Sequence, residues 1–119
     1  DRLASDRGFA RKARSSGLVR RRLKASAALL KKNDLPGFYA ALVQAVGGYA
    51  GDRFDLDTQA MTKEQLRDEL AARQVPEEAV AEIVSVLEQC ELARFSPGMM
   101  TVKSPAELLQ RATSVLDRI

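Results

Sequence analysis

At 119 residues, 45% hydrophobic and 29% charged, the chain has the size and composition of one globular domain with a core of its own. It holds no histidine and one cysteine, Cys90, which excludes intrachain disulfides, cysteine-based zinc clusters and every Ser-His or Cys-His nucleophile arrangement. The net charge of +3 conceals a partition: Asp1 to Asn33 carry 11 Lys or Arg against Asp1 and Asp6, a net of +9, whereas Asp34 to Ile119 carry 8 basic against 14 acidic residues, a net of −6. A basic N-terminal arm on an acidic body suggests an anionic surface near the arm, nucleic acid or lipid headgroups. The plainer alternative is that the basic segment packs on its own acidic domain.

Residues 1–17 show no sustained apolar period and are broken by Gly8 and Ser15-Ser16-Gly17, so a flexible basic arm is expected there, with a transient helix over residues 9–14. Residues 18–119 are expected to form a single helical domain. A first helix is expected from Leu18 to Lys32, with Val19, Leu23, Ala27 and Leu30 on one stripe and Arg20, Arg21, Lys24, Lys31 and Lys32 on the opposite, wet half. Asn33-Asp34-Leu35-Pro36 stops that helix and starts the next.

The second helix is the centre of the chain. Leu35 to Gly51 contains no charged residue. At about 100° per residue, Phe38, Tyr39, Leu42, Val43, Val46 and Tyr49 fall on a broad apolar arc, with Ala40, Ala41, Gly47 and Gly48 on the other side. Such a helix suits the middle of a bundle, its small face letting a neighbour approach, and that face is also a candidate groove for a partner helix. The stretch is too short, and too rich in Gly and Pro, for a membrane span. No apolar run follows the basic start as in a signal peptide.

In the loop that follows, Phe54 and Leu56 are expected to anchor on the core. Its Asp52, Asp55 and Asp57 do not make a calcium loop: with Asp55 as first ligand, Ala60 stands at the required glycine and Leu66 at the required glutamate. Thr62-Lys63-Glu64-Gln65 forms a capping box opening a short helix with Leu66 and Leu70 inward, ending near Arg73-Gln74 before Val75-Pro76. Pro76 to Phe95 is the longest periodic helix, with Val80, Ile83, Val84, Leu87 and Cys90 inward and Cys90 read as a buried apolar residue. Ser96-Pro97-Gly98 breaks it. Ser104-Pro105-Ala106-Glu107 opens a last helix with Leu108, Leu109, Ala112, Val115 and Leu116 inward. The expected fold is therefore all-α, a compact bundle of about five helices around the second.

Chemistry is not expected. The glycines lack a preceding strand and a Gly-Lys-Ser/Thr, so they are not a phosphate loop. The many carboxylates, among them Glu64, Asp68, Glu77, Glu78, Glu82, Glu88 and Glu91, look like a solvated face. No catalytic residue, metal site or cofactor is assigned. A small helical nucleic-acid-binding domain is the alternative reading, with the helices on either side of Gln74-Val75-Pro76 imitating a helix-turn-helix. Against it, the second of these helices begins Pro76-Glu77-Glu78, which would meet phosphates with acid, and the arm has one aromatic, Phe9.

Three blocks, RRRLKASAALLKKND, FYAALVQAVGGYAGDRF and MTKEQLRDELAARQVPEEAVAEIVSVLEQCELARFSPG, form a recognisable order: Phe38-Tyr39, Leu42, Ala45, Tyr49, Thr62, Leu66, Leu87, Cys90, Ala93-Arg94-Phe95, Pro97-Gly98. Over about Arg20 to Ile119 the chain resembles the C-terminal cytoplasmic region of the BatD (aerotolerance operon, oxygen tolerance) family of bacterial membrane proteins. Gly47-Gly48 departs from the bulkier residues that pattern leads one to expect in the central helix. The resemblance implies a fragment lying on the cytoplasmic side of the bacterial inner membrane, just past a membrane helix. It also implies a non-enzymatic role in a complex with MoxR-type AAA+ ATPases and von Willebrand A domain proteins. An excess of Lys and Arg beside a span agrees with the positive-inside tendency. Arg11, Lys12, Arg14, Arg20, Arg21, Arg22 and Lys24 are then the candidate membrane-surface residues of a juxtamembrane arm.

Overall fold

The computed structural model describes the backbone of residues 2–119 and the side chains from Gly17 onward. It contains five α-helices: α1 (Arg2–Lys31), α2 (Leu35–Phe54), α3 (Lys63–Ala72), α4 (Glu77–Phe95) and α5 (Pro105–Arg118). Short 3-10 turns lie at Thr58–Ala60 and Pro97–Met99, and no strand occurs among the described residues. The all-α expectation holds.

The first helix starts earlier than its apolar stripe. Its backbone is helical from Arg2, through Ser15-Ser16-Gly17. Ser and Gly each cost at most about 1 kcal/mol inside a helix, and the flanking Ala, Arg, Lys and Leu are strong helix formers. The arm expected over residues 1–17 thus has this backbone course, while the side chains of residues 1–16 lie outside the described set. Further along, α1 docks through Val19, Leu23, Ser26 and Leu30. Ser26, fully buried with no hydrogen-bond partner for its hydroxyl, takes the place expected of Ala27.

α2 is the hub. It lies along α1 in the most extensive helix pairing and also meets α4, α5 and the Thr58–Ala60 turn. Phe38, Leu42, Ala45, Val46, Tyr49 and Ala50 are buried. Tyr39 is half-buried and Val43, expected inward, is exposed. The covering helices leave one flank of α2 open, and these two side chains lie on it. α3 packs chiefly on α4 through Leu66 and Leu70, and α5 closes the bundle with Leu108, Ala112, Val115 and Leu116. Phe54 and Leu56 pack on the core as expected.

Two glycines of α2 set close approaches. A Cβ on Gly48 would fall 1.9 Å from Arg22 Nη1, so the missing side chain makes room for the α1 guanidinium. A Cβ on Gly51 would lie 2.9 Å from the Leu56 carbonyl oxygen, where the chain folds back past the helix end. On α4, buried Gln89 accepts the Thr101 and Val102 backbone N–H groups at 3.0 and 3.3 Å and donates to Thr101 Oγ1 at 3.0 Å. It thereby ties down the segment between α4 and α5.

The starts follow the expected caps. Asp34 accepts the Gly37 N–H at 3.2 Å, the Thr62/Gln65 capping box is closed from both sides at 2.9 and 3.0 Å, and Ser104 accepts the Glu107 N–H at 3.2 Å. The ends of α1, α2 and α3 turn through left-handed Asn33, Asp55 and Gln74, all non-glycine. At the end of α3, Val75 N–H returns to the Leu70 carbonyl and Gln74 N–H to that of Ala71, a Schellman closure. Asn and Asp tolerate this backbone better than Gln does. Replacing Gln74, at φ 64°, with Gly is therefore expected to stabilise the fold by about 0.5–1 kcal/mol, the relief of strain being partly offset by unfolded-chain entropy. Urea denaturation measures this, and a loss of stability in Gln74→Gly would contradict it.

Candidate functional site

Two surfaces remain once the core is assigned. The first is the wet face of α1. Arg20, Arg21, Lys24, Lys31 and Lys32 are exposed, and none of them has an ion-pair partner among the described residues. Arg22 differs from its neighbours. Its guanidinium turns toward α2, 3.7 Å from Asp52 Oδ2 and into the space left by Gly48, so it fastens α1 to α2. Arg11, Lys12 and Arg14 lie outside the residues whose side chains are described.

The second surface is a groove between α2 and the C-terminal half of α4. Its wider part encloses about 910 Å³, bordered by Leu35, Tyr39 and Val43 on one side and Leu87, Cys90 and Phe95 on the other. A smaller recess of about 160 Å³ continues it toward Gly47, Gly48 and Thr58, sharing Val43, Gln44, Lys63 and Leu87 with it. Lys63, the first residue of α3, donates to Glu91 of α4 at 2.7 Å beside the groove, and the Arg94 guanidinium lies 5.3 Å from the centroid of the Phe95 ring.

The residues of the recognised sequence pattern divide between these places. Phe38, Leu42, Tyr49, Leu66 and Cys90 are core, and Thr62 is a cap. Tyr39 and Leu87 are half-buried in the groove wall, whereas Phe95 is 70% exposed, with Arg94, Pro97 and Gly98 exposed beside it. The small face of α2, read from the sequence as a candidate groove for a partner helix, contributes Ala40, Gly47 and Gly48 to this groove and its recess, whereas the α4 wall and its Phe95 end were not anticipated. Their signal was the surplus of apolar residues on α2 and α4 beyond what one buried stripe requires, ending in Phe95 directly before the Ser96-Pro97-Gly98 break.

The carboxylate and the amine that line the groove, Glu91 and Lys63, are bound to each other. Burial pushes the Cys90 thiol up to about 12, and burial, with a smaller effect of Cys90, raises the Tyr39 phenol. Glu82 is held below the usual carboxylate range chiefly by its hydrogen bond from Arg111, which also donates to Ser85 Oγ at 3.0 Å. That set straps α4 to α5 instead of converging on a cavity. Among the described residues no three His, Cys, Asp or Glu side chains gather as metal ligands, and no helix is long and apolar enough to cross a membrane. Exposed Glu77 and Glu78 open α4, at the point where a helix-turn-helix would approach phosphates. Comparison with protein-family models, curated proteins and solved structures yields no match.

The Cys90 environment predicts an alkaline sensitivity. Below the ordinary thiol value of 9.0 the group is neutral in both folded and unfolded chains and adds no pH dependence; between 9.0 and about 12 the unfolded chain ionises first. Stability is then lost as pH rises through that window, with a slope approaching about 1.4 kcal/mol per pH unit. Urea titrations of Cys90→Ala should show a shallower fall over the same window, and identical slopes in the two proteins would contradict the thiol's burial.

Proposed function

We propose that this chain is a non-enzymatic interaction domain held at an anionic membrane surface, its basic first helix toward lipid headgroups and its acidic helical body toward protein partners. The observation that carries the reading is the charge partition, +9 before Asp34 and −6 after it, together with the exposed Arg20, Arg21, Lys24, Lys31 and Lys32, which have no ion-pair partner among the described residues. Cations near an anionic bilayer each contribute about 1 kcal/mol and lose most of it beyond a Debye length. The order of the blocks around Phe38-Tyr39, Leu87, Cys90 and Ala93-Arg94-Phe95 supports a BatD-like origin. The place would then be the cytoplasmic side of a bacterial inner membrane, and the partners MoxR-type ATPases and von Willebrand A domain proteins in an aerotolerance or stress role.

Co-sedimentation with phosphatidylcholine vesicles, with and without phosphatidylglycerol, tests the lipid half of this reading. The chain tethered at its N-terminus should partition onto the anionic vesicles and be released by salt. Changing Arg20, Arg21 and Lys24 together to Gln should lower partitioning on the order of 100-fold, three cations at about 1 kcal/mol each. Indifference to lipid charge contradicts the reading, and tight duplex-DNA binding with a steep salt slope would favour the nucleic-acid alternative instead.

A further inference from the structure

We propose that the groove along α2 receives an amphipathic helix from a protein partner, one that carries acidic residues beside its apolar stripe. The inference rests on the interaction-domain reading and assigns it a surface. From Leu35 to Gly48 the groove follows α2 for about 20 Å at the rise of an α-helix, the length of a roughly 13-residue helix with anchors at i, i+4, i+7 and i+11.

The apolar exposure is concentrated here. Among the described residues, the exposed large hydrophobics are Val43 at 38%, Phe95 at 70% and Met99 at 68%. Val43 and Phe95 line the groove, and Met99 stands between Pro97 and Met100, which also line it. Scattered apolar residues need no explanation, but a set gathered on one concavity marks an interaction surface.

Charge selects the occupant. The body from Asp34 onward is net acidic, yet the charged residues lining the groove are Lys63, Glu91 and Arg94. Glu91 is already engaged by Lys63 at 2.7 Å, which leaves Arg94, stacked on Phe95, as the uncommitted charge. Lys31, the last residue of α1, and Lys32 in the turn after it stand a few residues before Leu35, which lines the groove. An acidic helix meets these cations, whereas a basic one is repelled.

Two synthetic helical peptides with the same leucine stripe, one flanked by Glu and one by Lys, test the proposal by amide chemical-shift titration of the full chain. The Glu peptide should shift Tyr39, Val43, Leu87 and Phe95 and bind roughly ten-fold tighter than the Lys peptide. Arg94→Glu should reverse that preference, and Val43→Glu should abolish the shifts. Both residues are exposed, so thermal unfolding should stay unchanged in the two variants. Equal affinity for the two peptides, shifts elsewhere, no shifts, or groove shifts that follow protein concentration alone through self-association would each overturn it. Vesicle binding measured on the same samples separates the two readings. Lipid binding with an unresponsive groove overturns the groove and leaves the membrane surface standing. Peptide binding without lipid discrimination does the reverse.

Discussion

The constraint on which the structure depends is that α2 has no charged residue between Leu35 and Gly51 and must be covered by something. Full burial of side chains such as Phe38 and Leu42 contributes roughly 1.5–3 kcal/mol each, and only neighbouring helices can supply it. α1 supplies the longest cover, with Arg22 placed where Gly48 has no side chain. α4 and α5 add further cover, and α3 joins through α4. The number of helices able to reach α2 is smaller than its circumference requires, so one flank stays open. That flank, with Tyr39 and Val43, is the wall of the groove.

Much of this was legible in the sequence. Helix starts were written in local chemistry: Asp34 before Pro36, the Thr62/Gln65 box, and Ser104 before Pro105 all cap as their residue types dictate. Core stripes on α3 and α5 followed from spacing. The parts that were not legible depend on partners far along the chain. Ser26 is buried on the docking side of α1, although its hydroxyl has no hydrogen-bond partner, and polarity alone argues for solvent. Gln89 is buried because it captures the Thr101 and Val102 backbone, a contact no periodicity encodes. Val43 belongs to the apolar arc of α2 yet is exposed, since the arc states which residues need cover and not which ones receive it. The extension of α1 back to Arg2 was hidden by Ser15-Ser16-Gly17, whose breaking tendency is weak against strong helix formers on both sides.

The two surfaces are consistent with one use. A cationic face on α1 and an apolar groove beside α2 are the two surfaces left once the core is assigned. Burial holds the Cys90 thiol and the Tyr39 phenol in their neutral forms, and the Glu82–Arg111 pair is a strap between helices. The capped helix starts and the Schellman closure at the end of α3 give both surfaces a rigid frame.

The hub role of α2 can be measured directly by native-state amide hydrogen exchange. If every other element depends on α2, the amides from Phe38 to Ala50 should exchange only through global unfolding, with the denaturant dependence of the whole domain, while those of α3 open at lower free energy. Exchange of α2 through a partial opening that leaves α4 and α5 protected would contradict the account.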